Sequence, residues 1–240
     1  AVKGYYGSEH IDTNEYLRRF IDLEYSIPIP QTKLFNEYLF RYYQLNDFFS
    51  SYERNIIPEF RDDGQQLLKI AYVLFTKINP TLRQQERVFA LTRLILCSFK
   101  SNNYTFPHLL FILVFFKTMR NDVFQKIERS EFSLQELSDL FFETVYSEKK
   151  DLNGINLLYV ESLLLWFYNN DRDYLDKINL LEKDEADNLI TPIKSKLENE
   201  NARTSLAQCF GHITQQWNYD TIGLNYLVKK INLTESVTIQ

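Results

Sequence analysis

Residues 21–27 alternate strictly between apolar and polar side chains: Ile21, Leu23, Tyr25 and Ile27 fall on one face, Asp22, Glu24 and Ser26 on the other. A period of two is the pattern of a half-buried β-strand. Almost everything after Pro30 reads as helix, so this strand has no partner within its own chain. A lone strand leaves its backbone donors and acceptors unpaired and is not stable by itself. The expectation is therefore that the chain is a piece of a larger protein whose sheet takes in this strand, and that much of the larger protein's activity lies outside these residues.

The rest of the chain predicts a mainly α protein, a multi-helix bundle. Six glycines and six prolines in 240 residues are too few breakers for a sandwich or barrel. With 45% apolar content the chain is long enough to bury a sizeable core. Pro28 and Pro30 force an extended exit from the strand. Thr32 then caps a helix whose Leu34, Phe35, Tyr38, Leu39 and Tyr42 mark a buried face. Leu67, Ile70, Ala71, Leu74 and Phe75 give the next core stripe, and Val88, Leu91, Ile95 and Phe99 the one after. The apolar run from Leu109 to Phe116, opened by Pro107, reads as a helix buried on all sides. Ser133 and Glu136 form a capping box. A charged stretch at 147–154 marks a boundary, and residues 155–168 start a second helical region. Residues 182–201 read as solvated helix faces broken at Pro192, with further helices around 206–217 and 222–231.

Several functions find no support in the residues. The net charge of −5 gives no signal for direct nucleic-acid binding. The longest apolar run is far short of the about 20 residues needed to span a bilayer. Cys97 and Cys209 supply neither a zinc site nor a disulfide framework; Cys97 reads as a small buried hydrophobe, and a reducing, cytoplasmic location fits. No phosphate-binding glycine loop is present. Asp62 and Asp63 follow Arg61 in a polar stretch and read as a solvated turn, not a magnesium site. His10, His108 and His212 are not in metal-ligand spacing, and none stands beside a nucleophile. No catalytic residue is assigned, and a hidden hydrolase would need a nucleophile–base pair that the chain does not display. Two basic clusters stand out: Arg18 and Arg19 ahead of the strand, and Arg83 and Arg87 four residues apart on one helix face. A helix that presents two guanidinium groups on one side can reach an anionic ligand or a carboxylate partner, or form surface ion pairs.

Residues 14–28 (NEYLRRFIDLEYSIP) resemble the segment that closes the P-loop core of KAP-type NTPases, where a helix leads into the last core strand and a helical lid follows. Residues 81–89 (TLRQQERVF) resemble that family's leucine-arginine-x-x-glutamate lid helix, and residues 103–107 (NYTFP) with the apolar helix after them are also similar. The resemblance covers roughly residues 1–120. It implies three parts: residues 1–30 as the end of a P-loop α/β core, residues 31–150 as a helical lid-like domain, and residues 151–240 as a C-terminal helical extension. The Walker A loop, the Walker B acids and the sheet that carries them are missing and would lie upstream of Ala1.

The resemblance implies a parent ATPase that binds ATP and Mg²⁺ through the upstream core, with no cofactor in this chain. This chain would couple ATP binding and hydrolysis to lid motion and partner binding, in phage defence or membrane-linked signalling. Arg83, and after it Arg87, would be the nucleotide sensor; Arg18 and Arg19 would lie at an interface. The expected partners are the missing P-loop core and another protein, with oligomerisation left open. The alternative is a stand-alone helical protein-interaction module with no nucleotide chemistry, using exposed aromatics among its 19 Phe and 16 Tyr.

Overall fold

The computed structural model describes residues 30–146, 155–198, 205–216 and 219–233. The strand at 21–27, Arg18, Arg19 and His10 lie outside the described residues. A compact unit runs from Thr32 to Gln240, and among its described residues the architecture is mainly helical with one two-stranded antiparallel hairpin.

The first part of that unit holds α1 (Thr32–Tyr42), α2 (Leu45–Phe49), α3 (Tyr52–Asn55), a 3-10 turn (Pro58–Phe60), α4 (Asp63–Ile78), α5 (Leu82–Leu96), α6 (Pro107–Met119), α7 (Asn121–Glu128) and α8 (Leu134–Val145). The later part holds α9 (Leu157–Asp171), the hairpin β1 (Glu182–Lys183) and β2 (Leu189–Ile190), α10 (Leu206–Thr214), a 3-10 turn (Tyr219–Thr221) and α11 (Asn225–Asn232).

Local chemistry sets several of these boundaries. Thr81, Ser133 and Ser205 each accept the amide of the residue three positions on, and Gln84, Glu136 and Gln208 return the bond, so α5, α8 and α10 all start on a capping box. Asn79 ends α4 in the left-handed conformation. Pro107 opens α6, where its missing N–H is no loss.

Helix α6 is the axis of the core. Leu109 through Phe116 are all fully buried, because α4, α5, α7, α9 and α11 surround the helix. Phe75, Phe89, Phe111 and Phe115 meet there at ring separations of 5.3–6.4 Å. Every side of such a helix needs an apolar neighbour, which is why its sequence lacks a polar stripe.

Four expectations are corrected. Cys97 is exposed, because it lies one residue past the end of α5 and has rotated off the buried face. Residues 182–190 form the hairpin, not a helix: Asp184 accepts the amides of Ala186 (2.9 Å) and Asn188 (2.8 Å), and this side-chain turn competes with helix. On α1, Leu34, Tyr38 and Tyr42 are exposed, and the buried face instead carries Asn36, Leu39 and Phe40. The fourth correction concerns Asp63.

Candidate functional site

Asp62 is exposed as a turn residue should be, but Asp63 is buried. Its carboxylate accepts a hydrogen bond and an ion pair from Arg54, whose side chain is fully buried. The hydroxyl of Thr105 donates to the same carboxylate oxygen at 2.9 Å. The other terminal nitrogen of Arg54 donates to the carbonyls of Ser101 (3.0 Å) and Asn103 (2.9 Å). The guanidinium carbon lies 4.3 Å from the centre of the Phe60 ring and 4.9 Å from that of Phe48.

One arginine thus joins α3, the start of α4 and the loop that leads into α6. Burial pushes the guanidinium down and the Asp63 carboxyl up, and the attraction between them opposes both shifts. The intrinsic basicity of arginine keeps the proton on Arg54, so the pair is ionic.

The loop that Arg54 holds carries Tyr104 and Phe106. Phe106 has φ 43°, left-handed and costly for a bulky residue, and it is kept there by Pro107 behind it and by rings around it. Its ring lies 4.8 Å from Phe167, 5.4 Å from Tyr219 and 5.6 Å from Tyr104. In front of these rings opens a cavity of about 190 Å³, bounded by the 3-10 turn with Glu59, the head of α6 with His108, the first turns of α9 with Tyr159, and Tyr219. Burial, with Lys69 nearby, pushes His108 down to about 4, so its imidazole is neutral. Tyr219 is pushed up by burial, then by the neighbouring Tyr159 and Tyr104 phenols and the Asp63 and Glu59 carboxylates.

A second buried polar centre lies between α8 and α9. Glu161 is fully buried, and its two oxygens accept from Ser138 (2.5 Å) and Ser195 (2.5 Å). No cation pairs with it among the described residues. Burial pushes its carboxyl up to about 7, against the pull of the two hydroxyls and with a further push from Glu198 and Asp139.

Arg83 and Arg87 are on neither centre. Both are exposed on α5, and neither forms an ion pair with a described residue, Glu86 included. Helix α5 packs on α1, and Glu86 lies close enough to raise the phenol of Tyr43 after burial has done so. Phe35, Tyr38, Tyr42 and Tyr43 form a ladder of rings along α1 at separations of 6.0, 5.6 and 5.0 Å.

Sequence reasoning missed Arg54, Thr105 and Glu161. Glu161 had a signal, since it is the single acid in the apolar run from Leu157 to Tyr168. Among the described residues no group of three or more His, Cys, Asp or Glu side chains could hold a metal, and no helix is long and apolar enough to cross a membrane. No protein-family model, curated protein or solved structure matches this chain.

Proposed function

We propose that this chain is a helical protein-interaction module that binds its partner through the α1–α5 face. The observation that carries the reading is the exposed row Leu34, Tyr38 and Tyr42, which recurs every four residues along α1, with Tyr42 61% exposed. Tyrosines offer large contact area at small entropic cost and are enriched where proteins bind each other. Arg83 and Arg87 outnumber Glu86 on the neighbouring helix, so the fitting partner sets acidic side chains beside apolar ones. A photo-crosslinking residue at position 38 tests this in cells that make the protein. The expected result is one dominant adduct. That protein, once purified, should bind the wild-type chain and lose at least about tenfold in affinity to Tyr42→Ser or to Arg83→Glu, as interface anchors do. Wild-type affinity in both variants would end the reading.

A second reading has a specific observation behind it. Arg83 and Arg87 are solvent-facing and free of ion pairs among the described residues, as a phosphate-sensing arginine would be before it meets nucleotide. In that reading the chain is the helical lid portion of a KAP-type P-loop ATPase. ATP and Mg²⁺ bind the upstream core, Arg83 reports on the phosphates, and lid motion relays the cycle to a partner. Turnover of the complete protein decides it. Arg83→Ala should lower ATP hydrolysis at least about tenfold, the range in which removal of an arginine from a transferring phosphate acts. Unchanged turnover removes the sensor role.

A further inference from the structure

We propose that the cavity in front of Tyr104 and Tyr219 binds a small organic ammonium ion, a quaternary or otherwise alkylated amine.

Three features select that class. The first is the aromatic wall. Phe60 stands edge-on to Tyr104 at 5.0 Å, and Tyr219 stands edge-on to Tyr104 at 6.1 Å and to Phe106 at 5.4 Å. All four of these rings line the cavity, and an aromatic ring attracts a cation placed over its face. The Phe60 ring already accepts the Arg54 guanidinium within the protein.

The second is charge. Among the described residues no lysine or arginine lines the cavity. Its two carboxylates are Asp63, cancelled by Arg54, and Glu59, which has no ion-pair partner among the described residues. His108 stays uncharged. The described lining therefore carries one net negative charge at neutral pH, which favours a cation and opposes phosphates and carboxylates.

The third is the state of the polar groups. The side chains of Glu59 and His108 and the hydroxyls of Tyr159 and Tyr219 make no hydrogen bond to another described residue, although they line a partly enclosed space. A ligand with an alkylated ammonium head and one hydroxyl or carbonyl would satisfy both kinds of wall. The volume of about 190 Å³ suits a ligand of that size.

The site is also held in shape before any ligand arrives. Arg54 fixes the carbonyls on both sides of residue 102, Thr105 bonds Asp63, and the hydroxyl of Tyr226 donates to the carbonyl of Tyr104 at 3.0 Å. Preorganisation of this kind lowers the ordering cost of binding.

Choline is the probe, and 3,3-dimethylbutan-1-ol is its uncharged counterpart of equal shape. Titration of the 240-residue chain, followed by calorimetry and by the aromatic NMR signals at constant ionic strength, should show saturable choline binding. The neutral alcohol should bind at least about tenfold more weakly, because the ring faces and Glu59 act on charge. Glu59→Gln, at an exposed position whose loss leaves the core intact, should weaken choline about five- to tenfold with unchanged thermal stability. Tyr104→Leu should do the same or more. Choline that fails to saturate up to about 20 mM, an alcohol that binds as tightly as choline, or a Glu59→Gln chain that binds choline as the wild type does would each overturn the assignment.

Discussion

The fold contains two buried polar centres that solve the same problem in opposite ways. Each links segments distant in sequence: Arg54 joins α3, α4 and the loop before α6, and Glu161 joins α8, α9 and the segment after the hairpin. Arg54 brings its own counter-ion, two carbonyls and two ring faces. Glu161 has two hydroxyls and no cation among the described residues. Removing an ion from water costs several kcal/mol, so each centre has to recover that cost. The first does so by pairing charges, and the second by taking up a proton. The difference teaches that a buried acid is not one kind of feature: its partners decide whether it acts as a fixed ion or as a titrating group.

The largest test breaks the first centre. Asp63→Ala leaves the Arg54 guanidinium buried without a counter-charge and should lower unfolding stability by about 3–5 kcal/mol in a denaturant titration. The double variant Arg54→Met/Asp63→Leu removes both charges and keeps apolar volume, and should recover most of that loss. If the double variant is no more stable than Asp63→Ala, the carbonyl and ring contacts of Arg54 matter more than its charge pairing, and the contrast between the centres weakens.

The second centre predicts a pH dependence. Glu161 has its carboxyl raised from the ordinary 4.5 to about 7 in the folded chain. Between those values the folded state holds a proton that the unfolded state has released, so stability falls as pH rises through this window and levels off above it. At about 1.4 kcal/mol per pKa unit, the loss comes to about 3 kcal/mol. Glu161→Gln cannot lose a proton and still offers groups to Ser138 and Ser195. The stability of this variant relative to wild type should rise by about 3 kcal/mol from pH 4.5 to pH 7.5. A difference that stays constant with pH would show that Glu161 is ionised throughout, and the comparison would fail on that side.

A smaller change sharpens the first centre. Thr105→Val keeps the shape of the side chain but removes a hydroxyl that donates to Asp63 and accepts from Arg54 at 3.4 Å. The expected cost is about 1–2 kcal/mol, less than that of Asp63→Ala, because the ion pair survives. Because the hydroxyl is one of the groups that hold the Asp63 carboxyl down, its pKa should rise further in the variant, readable by NMR titration.

How much of this was legible in the sequence follows the same division. The core stripes Leu67, Ile70, Ala71, Leu74 and Phe75, and the run from Leu109 to Phe116, are buried as their spacing requires, since periodicity reports directly on burial. The capping box at Ser133 and Glu136 was equally readable. The polar centres were not, because each needs members from distant parts of the chain: Arg54 and Asp63 are 9 residues apart, but Ser138 and Glu161 are 23 apart and Arg54 and Thr105 are 51 apart. No local pattern encodes a contact of that range. Asp63 misled for a related reason: its neighbours look like a solvated turn, and only Arg54 and Thr105, brought in by the fold, make its burial tolerable. On α1 the spacing of Leu34, Phe35, Tyr38, Leu39 and Tyr42 predicts one buried face, but only Leu39 of these is fully buried while Leu34, Tyr38 and Tyr42 are exposed, because apolar spacing alone does not say which side meets the core.

The smallest predicted effect is the control on the whole comparison. Arg83 and Arg87 carry the same charged group as Arg54, but in water, with no ion pair to a described residue. Arg83→Ala and Arg87→Ala should each shift stability by no more than about 0.5 kcal/mol, since exposed helix positions with good helix formers on both sides of the change are nearly neutral. Salt should leave that shift unaltered, because neither arginine has an ion pair with a described residue to screen. A loss above about 1 kcal/mol, or one that shrinks steeply with added salt, would place these arginines in an ion network of the folded chain. They would then no longer be free to meet a partner's carboxylates or a nucleotide's phosphates, and both readings of the α1–α5 face would lose their charged component.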